Sequence, residues 1–263
     1  MTFPAIDPVF LRLGPLQFRW YGLMYVLGFI LSYFVIRREV RRSQVSLSDE
    51  GVADLILALA LGVVLGGRFG YVLFYDLPAY LAHPLKIFAI WQGGMSFHGG
   101  LTGVFLAALW FSRSRGIPLP VLGDLAALAA PIGLGLGRIG NFINGELFGR
   151  PTTVPWGIVF PDGGPLPRHP SQLYEAFLEG LVLFFLVRLA YRRLNVSGAA
   201  MATFLAGYGL FRIVVEWFRQ PDQQLGLFLG SFSMGQLLSL PLVLLGGGLL
   251  VWFMRKERLS RPQ

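Results

Sequence analysis

Runs of apolar residues long enough to cross a membrane recur seven times, and this repetition constrains the fold more than any other feature of the chain. A spanning helix needs roughly 20 mainly apolar residues, and the runs lie at 18–36, 53–74, 95–111, 121–142, 172–191, 199–218 and 234–254. In hydrocarbon every backbone N–H and C=O must be satisfied inside its own segment, so runs of this length can only be helices. Composition agrees: 54% hydrophobic and 14% charged residues, with a mean hydropathy of +0.61, give more apolar surface than one soluble core could bury. The expectation is an all-α polytopic membrane protein with seven transmembrane helices, forming a single domain over 1–263.

The stretches between these runs add detail. Residues 78–94 are apolar but broken by Pro78, His83, Pro84 and Lys86, and read as an interfacial or re-entrant segment. Residues 144–170 hold six prolines and several glycines, with strand-prone residues at 152–154 and 156–160. They read as a small extramembrane cap of turns and a short hairpin. Arg37, Arg38, Arg41 and Arg42 follow the first run, Arg113 and Arg115 the third, Arg188, Arg192 and Arg193 close the fifth, and Arg255, Lys256, Arg258 and Arg261 follow the seventh. The opposite side carries fewer, namely Arg12, Arg19, Lys86, Arg150, Arg168 and Arg219. The positive-inside bias then puts the N-terminus and the cap in the periplasm and the C-terminus in the cytoplasm. The first twenty residues have neither a basic n-region nor a small-residue cleavage site, so no removable signal peptide is expected.

The formal charge of +8 invites a nucleic-acid reading, but the basic residues fall in short clusters between apolar runs, where topology accounts for them. No nucleic-acid partner is expected. With no cysteine, the chain cannot offer a thiolate metal site or a thiol nucleophile of its own. It also has no His-Glu-x-x-His pattern and no Walker loop, and its only lysines, Lys86 and Lys256, lie outside the spans. Neither metal nor cofactor is expected.

Three arginines remain inside the runs: Arg68, Arg138 and Arg212. Ionisable groups there are costly and read as functional. In the proposed topology these three, with Tyr21, His98, Glu175 and Glu179, all fall in the outer leaflet. Tyr208, Arg212, Glu216 and Arg219, spaced four, four and three, form one helical stripe in which Arg212 and Glu216 can pair. Two arginines from different helices facing one cavity would repel unless they share an anion, and a phosphate matches the guanidinium fork. Arg68 divides between packing and substrate contact. His98 divides between a general base, suited by an ordinary pKa near 6.5, and a hydrogen-bonding group. The segment Arg168-His169-Pro170-Ser171 reads first as a helix start, with His169 a candidate for the cavity rim.

The densest polar stretch is Gly137-Arg138-Ile139-Gly140-Asn141-Phe142-Ile143-Asn144-Gly145-Glu146-Leu147-Phe148-Gly149. It resembles the signature of bacterial prolipoprotein diacylglyceryl transferases. The resemblance covers essentially the whole chain, including Arg19 to Leu23, Gly67 to Tyr71, Gly94 to Gly100, His169 to Glu175 and Tyr208 to Asp222. It implies an inner-membrane enzyme with its site toward the periplasm. Such an enzyme moves the diacylglyceryl group of phosphatidylglycerol onto the lipobox cysteine of a prolipoprotein signal peptide, forming a thioether and releasing glycerol phosphate. It also implies that Arg138 binds phosphatidylglycerol, and that Tyr21, His98, Asn141, Glu146, Gly149, Tyr208, Arg212 and Glu216 serve activity. Arg68, His169, Arg219 and Asn144 complete the candidate set. The rival class is a transporter of anionic lipid or solute, which would use the same arginines. Against it stand the absence of a repeat between the two halves and a polar cluster off the midplane.

Overall fold

The computed structural model describes all residues except 5, 15, 44, 91–92, 221–226, 229–231 and 261–263. Of the positions read above, Trp91, Gln92, Pro221, Asp222 and Arg261 therefore lie outside the described residues. The chain is mostly helical and divides into two compact units, Met1–Val35 with Asp124–Gln263, and Ile36–Gly123.

The larger unit opens with a hairpin that the apolar runs did not announce. Strands β1 (Val9–Leu13) and β2 (Leu16–Arg19) pair antiparallel, Leu13 opposite Leu16, around Gly14 at a φ of +59°. Helix α1 (Trp20–Val40) follows at once. Helix α5 (Leu119–Ile143) carries Pro131 in its interior, a position that membrane helices tolerate because neighbours re-satisfy the freed carbonyl. Next comes a helical rod of three parts: α6 (Ser171–Glu175), a π-helical segment (Ala176–Val182) and α7 (Leu183–Leu194). Gly135 of α5 and Gly180 of the π segment bring their backbones together, since a Cβ on Gly180 would stand 2.7 Å from the Gly135 Cα. Helix α8 (Ala199–Glu216) is capped from another helix: Asp124 of α5 accepts from the Gly198 and Met201 amides at 2.6 and 2.9 Å, placing a carboxylate where the helix dipole favours one. A short hairpin, β3 (Leu227–Phe228) with β4 (Phe232–Ser233), leads into α9 (Met234–Ser260). Helices α8 and α9 pack through small residues: a Cβ on Gly209 would meet the Ser239 carbonyl at 2.8 Å, and one on Gly246 the Ala202 carbonyl at 2.7 Å. Without a hydrophobic force between helices in lipid, such close backbone approach is what holds them.

The smaller unit is built on the same device. Helix α2 (Asp49–Phe74), capped by Ser48, crosses α4 (Phe97–Arg115), capped by Ser96. Gly62, Gly66 and Gly70 of α2 face Gly99 and Gly103 of α4, with ideal Cβ positions at Gly66 and Gly70 lying 2.7 Å from the Gly103 and Gly99 Cα atoms. Between them run α3 (Leu77–Ala82) and a 3-10 turn (Pro84–Phe88), neither long enough to cross a bilayer.

Among the described residues, five helices are long and apolar enough to span a membrane: α1, α2, α5, α8 and α9. The third and fifth apolar runs are helical as expected but fall below that measure. Helix α4 ends in Arg113 and Arg115. The rod is interrupted by π geometry and carries Glu175, Glu179, Arg188, Arg192 and Arg193. Residues 144–170 are turns and isolated bridges. Thr152–Val154 and Trp156–Phe160 do not form the expected hairpin with each other, because Pro151 and Ile158 both bridge to Arg168 instead.

Candidate active site

Helix α5 ends at Ile143, and the chain then turns sharply through Gly145 at φ +70° and Leu147 at φ +59°. A leucine in the left-handed region is strained and persists only where its surroundings fix it. Here the start of the rod supplies that fixation: Gln172 donates to the Glu146 carbonyl at 2.6 Å and Ser171 to the Leu147 carbonyl at 3.1 Å. The side chains within the turn also join. Asn141 and Asn144 both donate to Glu146 Oε1, at 2.9 and 3.1 Å, and Arg138 Nη1 reaches Asn141 Oδ1 at 3.5 Å. Gly149 ends the signature where no side chain fits: its amide donates to the His169 carbonyl at 2.8 Å, and a Cβ would press on that residue.

Arg138 leads from the turn into a cluster of charges centred on Glu175, whose side chain is fully buried. Glu175 Oε2 takes Arg138 Nε at 2.6 Å and Arg212 Nη1 at 3.2 Å, while Oε1 takes Arg219 Nη1 at 3.2 Å. Arg212 Nη2 also contacts Glu216 Oε1, the i,i+4 pair of the α8 stripe, and Arg219 Nε lies 3.8 Å from the same oxygen. Ser233 donates to Glu216 Oε2 at 2.7 Å, and Gly235 leaves room for that carboxylate, since a Cβ there would fall 2.5 Å from it. Three guanidiniums from α5, α8 and the turn after α8 are thus drawn around two carboxylates. A positive excess held in a water-poor site suits a phosphate.

Of the remaining candidates, Tyr21 packs its ring against Gly140 and its hydroxyl lies 3.1 Å from that of Tyr25. Tyr208 stacks on Phe204 with ring centroids 5.9 Å apart, one turn before Arg212. His169 sits in an aromatic nest in which Nδ1 meets the Tyr174 hydroxyl at 3.1 Å, Trp156 donates to the same hydroxyl at 2.7 Å, and Phe218 stands edge-on at 5.2 Å. Partial burial holds its imidazole below the usual range. Arg68 and His98 belong to the smaller unit. Arg68 is buried, and its guanidinium is saturated by the carbonyls of Lys86, Ile87, Ala89, Gly93 and Gly94. His98, in the first turn of α4, is exposed, and its carbonyl accepts from Thr102 at 2.9 Å.

The family model described as prolipoprotein diacylglyceryl transferase matches residues 8–252. The chain belongs to the prolipoprotein diacylglyceryl transferase family. A phosphatidylglycerol–prolipoprotein diacylglyceryl transferase of Geobacter sulfurreducens is 62% identical over 257 residues, covering 98% of this chain and 99% of the relative. Proteins of the same name from Vibrio atlanticus, 53% identical, and Photobacterium profundum, 52% identical, each cover 96% of this chain, which covers 92% and 95% of them respectively. Within this transferase-family chain, the groups that sequence reading left without a role are Glu175 as the hub, Ser171 and Gln172 as anchors of the signature turn, and the buried Glu179. The spacing of Glu175 and Glu179 within the fifth apolar run marks them as a pair of acidic groups but does not show that three arginines meet at Glu175.

Proposed function

We propose that this protein transfers the diacylglyceryl group of phosphatidylglycerol to the cysteine thiol of a prolipoprotein lipobox, the first step of lipoprotein maturation. The observation that carries this reading is the three-arginine cluster around Glu175, joined through Asn141 to the signature turn. Family membership and the names of the close relatives support the same chemistry. Arg138 is the most accessible of the three arginines, with 19% side-chain exposure against 14% for Arg212 and 12% for Arg219, so the headgroup phosphate meets it first. Arg212 is its partner in the clamp. Asn141 and Glu146 orient Arg138, Glu216 holds Arg212, and Gly149 keeps the turn closed against His169. Tyr21 and Tyr208 line the site, with Asn144 and Arg219 as supports.

In the reaction, His98 takes the thiol proton and the thiolate attacks the glyceryl carbon. The bond from that carbon to the phosphate oxygen breaks, leaving its electron pair on the oxygen that becomes glycerol phosphate. Stabilising that oxygen is the main electrostatic task, and a guanidinium pair does it without proton transfer. Arg68 acts at a remove, by holding the carbonyls of Lys86, Ile87, Ala89, Gly93 and Gly94. We further propose seven spans in one membrane-embedded domain, with α4 and the Ser171–Leu194 rod joining the five apolar helices. The N-terminus and the 144–170 cap would face the periplasm and the C-terminus the cytoplasm of an inner membrane, with 78–94 interfacial.

Mass spectrometry of a lipobox peptide incubated with purified protein and phosphatidylglycerol tests the reading. A diacylglyceryl mass gain is expected with the native chain and not with Arg138→Ala. Folded, lipid-binding protein that leaves the peptide unmodified would overturn it.

A further inference from the structure

Glu179 is the one acidic group of the cluster that the chemistry above does not use. It lies on the π-helical segment Ala176–Val182, its side chain is fully buried, and neither of its carboxyl oxygens has a hydrogen-bond partner among the described residues. A buried carboxylate without donors is costly, and one in a native site asks for a reason. The charged and titratable groups acting on it are Glu175 on its own rod, Arg138 of α5, Arg212 and Tyr208 of α8, and Arg219 just beyond α8. All three arginines direct N–H groups at Glu175 or Glu216. Burial and the neighbouring Glu175 carboxylate favour its neutral form and the three guanidiniums its charged form, with no hydrogen bond to fix its protonation state.

The charge count gives that state a purpose. Three guanidiniums against Glu175 and Glu216 leave one positive charge, which an ionised Glu179 cancels. A phosphodiester headgroup brings one negative charge to the same guanidiniums, and the part of their field that favours a charged Glu179 is then offset, leaving burial and Glu175 to favour the neutral form.

We infer that Glu179 is a charge-balancing positioning residue, ionised in the lipid-free protein and taking up one proton when an anionic phosphodiester headgroup is bound. The inference rests on the reading of Arg138 and Arg212 as the phosphate clamp. Its consequence is that affinity for the lipid falls as pH rises, by up to about tenfold per pH unit where the free protein has lost that proton. Glu179→Gln, which copies the neutral form, binds as tightly as the native chain does at low pH and loses this dependence.

The experiment is calorimetric titration of short-chain phosphatidylglycerol into the detergent-solubilised full chain, in buffers of different ionisation enthalpy. The native chain should take up about one proton per lipid bound and Glu179→Gln none. Difference infrared spectroscopy of the native chain alone should gain a protonated-carboxyl band on lipid addition, a readout independent of the variant's folding. Binding and peptide modification without proton uptake and without that band would overturn the role of Glu179 and leave the transferase reading intact. Uptake undiminished in Glu179→Gln would assign the proton elsewhere and overturn it equally. A native chain that binds no phosphatidylglycerol would remove the phosphate clamp itself, and this inference with it.

Discussion

Glu175 holds three arginines with two oxygens, so the site depends on it more than on any single cation. Replacing it by Gln leaves buried positive charges unpaired, a change that costs about 3–5 kcal/mol in comparable sites. Glu175→Gln should therefore lower the unfolding midpoint in detergent and reduce peptide modification by roughly 100-fold or more. His169 offers a gentler test. Its imidazole is held below the usual range by burial, so the fold favours the neutral ring. That preference contributes stability fully above pH 6.5, the ordinary value, and loses it as pH falls through the lower folded value. Partial exposure limits the effect to below about 1 kcal/mol. Thermal midpoints measured from pH 8 down to pH 5 should drop further for the native chain than for His169→Gln. At this scale the sequence was legible where spacing along one helix decides the contact: Tyr208, Arg212 and Glu216 share α8 and Arg212 pairs with Glu216 as expected, whereas Arg219, expected on the same helical stripe, lies in the turn beyond the helix end. The centring on Glu175 was not legible, because it depends on how α5, the rod and α8 meet, which no single helix encodes.

At the scale of elements, the glycines of α2 and α4 are spacers that set how close two backbones come. A methyl group on Gly66 would enter the α4 backbone, whereas one on Gly100 would lie 3.5 Å from the nearest atom, the Val63 carbonyl. Gly66→Ala should destabilise the protein by about 1–3 kcal/mol, while Gly100→Ala, on α4 against the same helix but with room for a methyl group, should leave the detergent unfolding midpoint nearly unchanged. Hydropathy alone located all seven helical runs, since length and apolarity suffice for that. It missed the β1–β2 hairpin, whose residues Phe10, Leu11, Leu13, Leu16 and Phe18 are exposed on both faces and so lack the alternation that marks a half-buried strand. It also gave no hint that Asp124 caps α8, a contact between residues 74 positions apart.

For the whole molecule, the absence of cysteine makes topology directly measurable. Single cysteines at Asp162 and at Ser114, both exposed, should react oppositely with a membrane-impermeant maleimide. The proposed orientation expects Asp162→Cys to label in intact spheroplasts and Ser114→Cys only after permeabilisation; the reverse pattern would invert the topology. Arg68 shows how one side chain can organise a stretch of chain with little regular structure. The carbonyls of Lys86, Ile87, Ala89, Gly93 and Gly94 converge on its guanidinium, much as the oxygens of a crown ether converge on a cation. Such a host does not require its guest to be tethered. In Arg68→Ala, millimolar methylguanidinium should re-enter the ring of carbonyls and restore the protease resistance of residues 83–90, whereas methylammonium, with the charge but not the planar fork, should not.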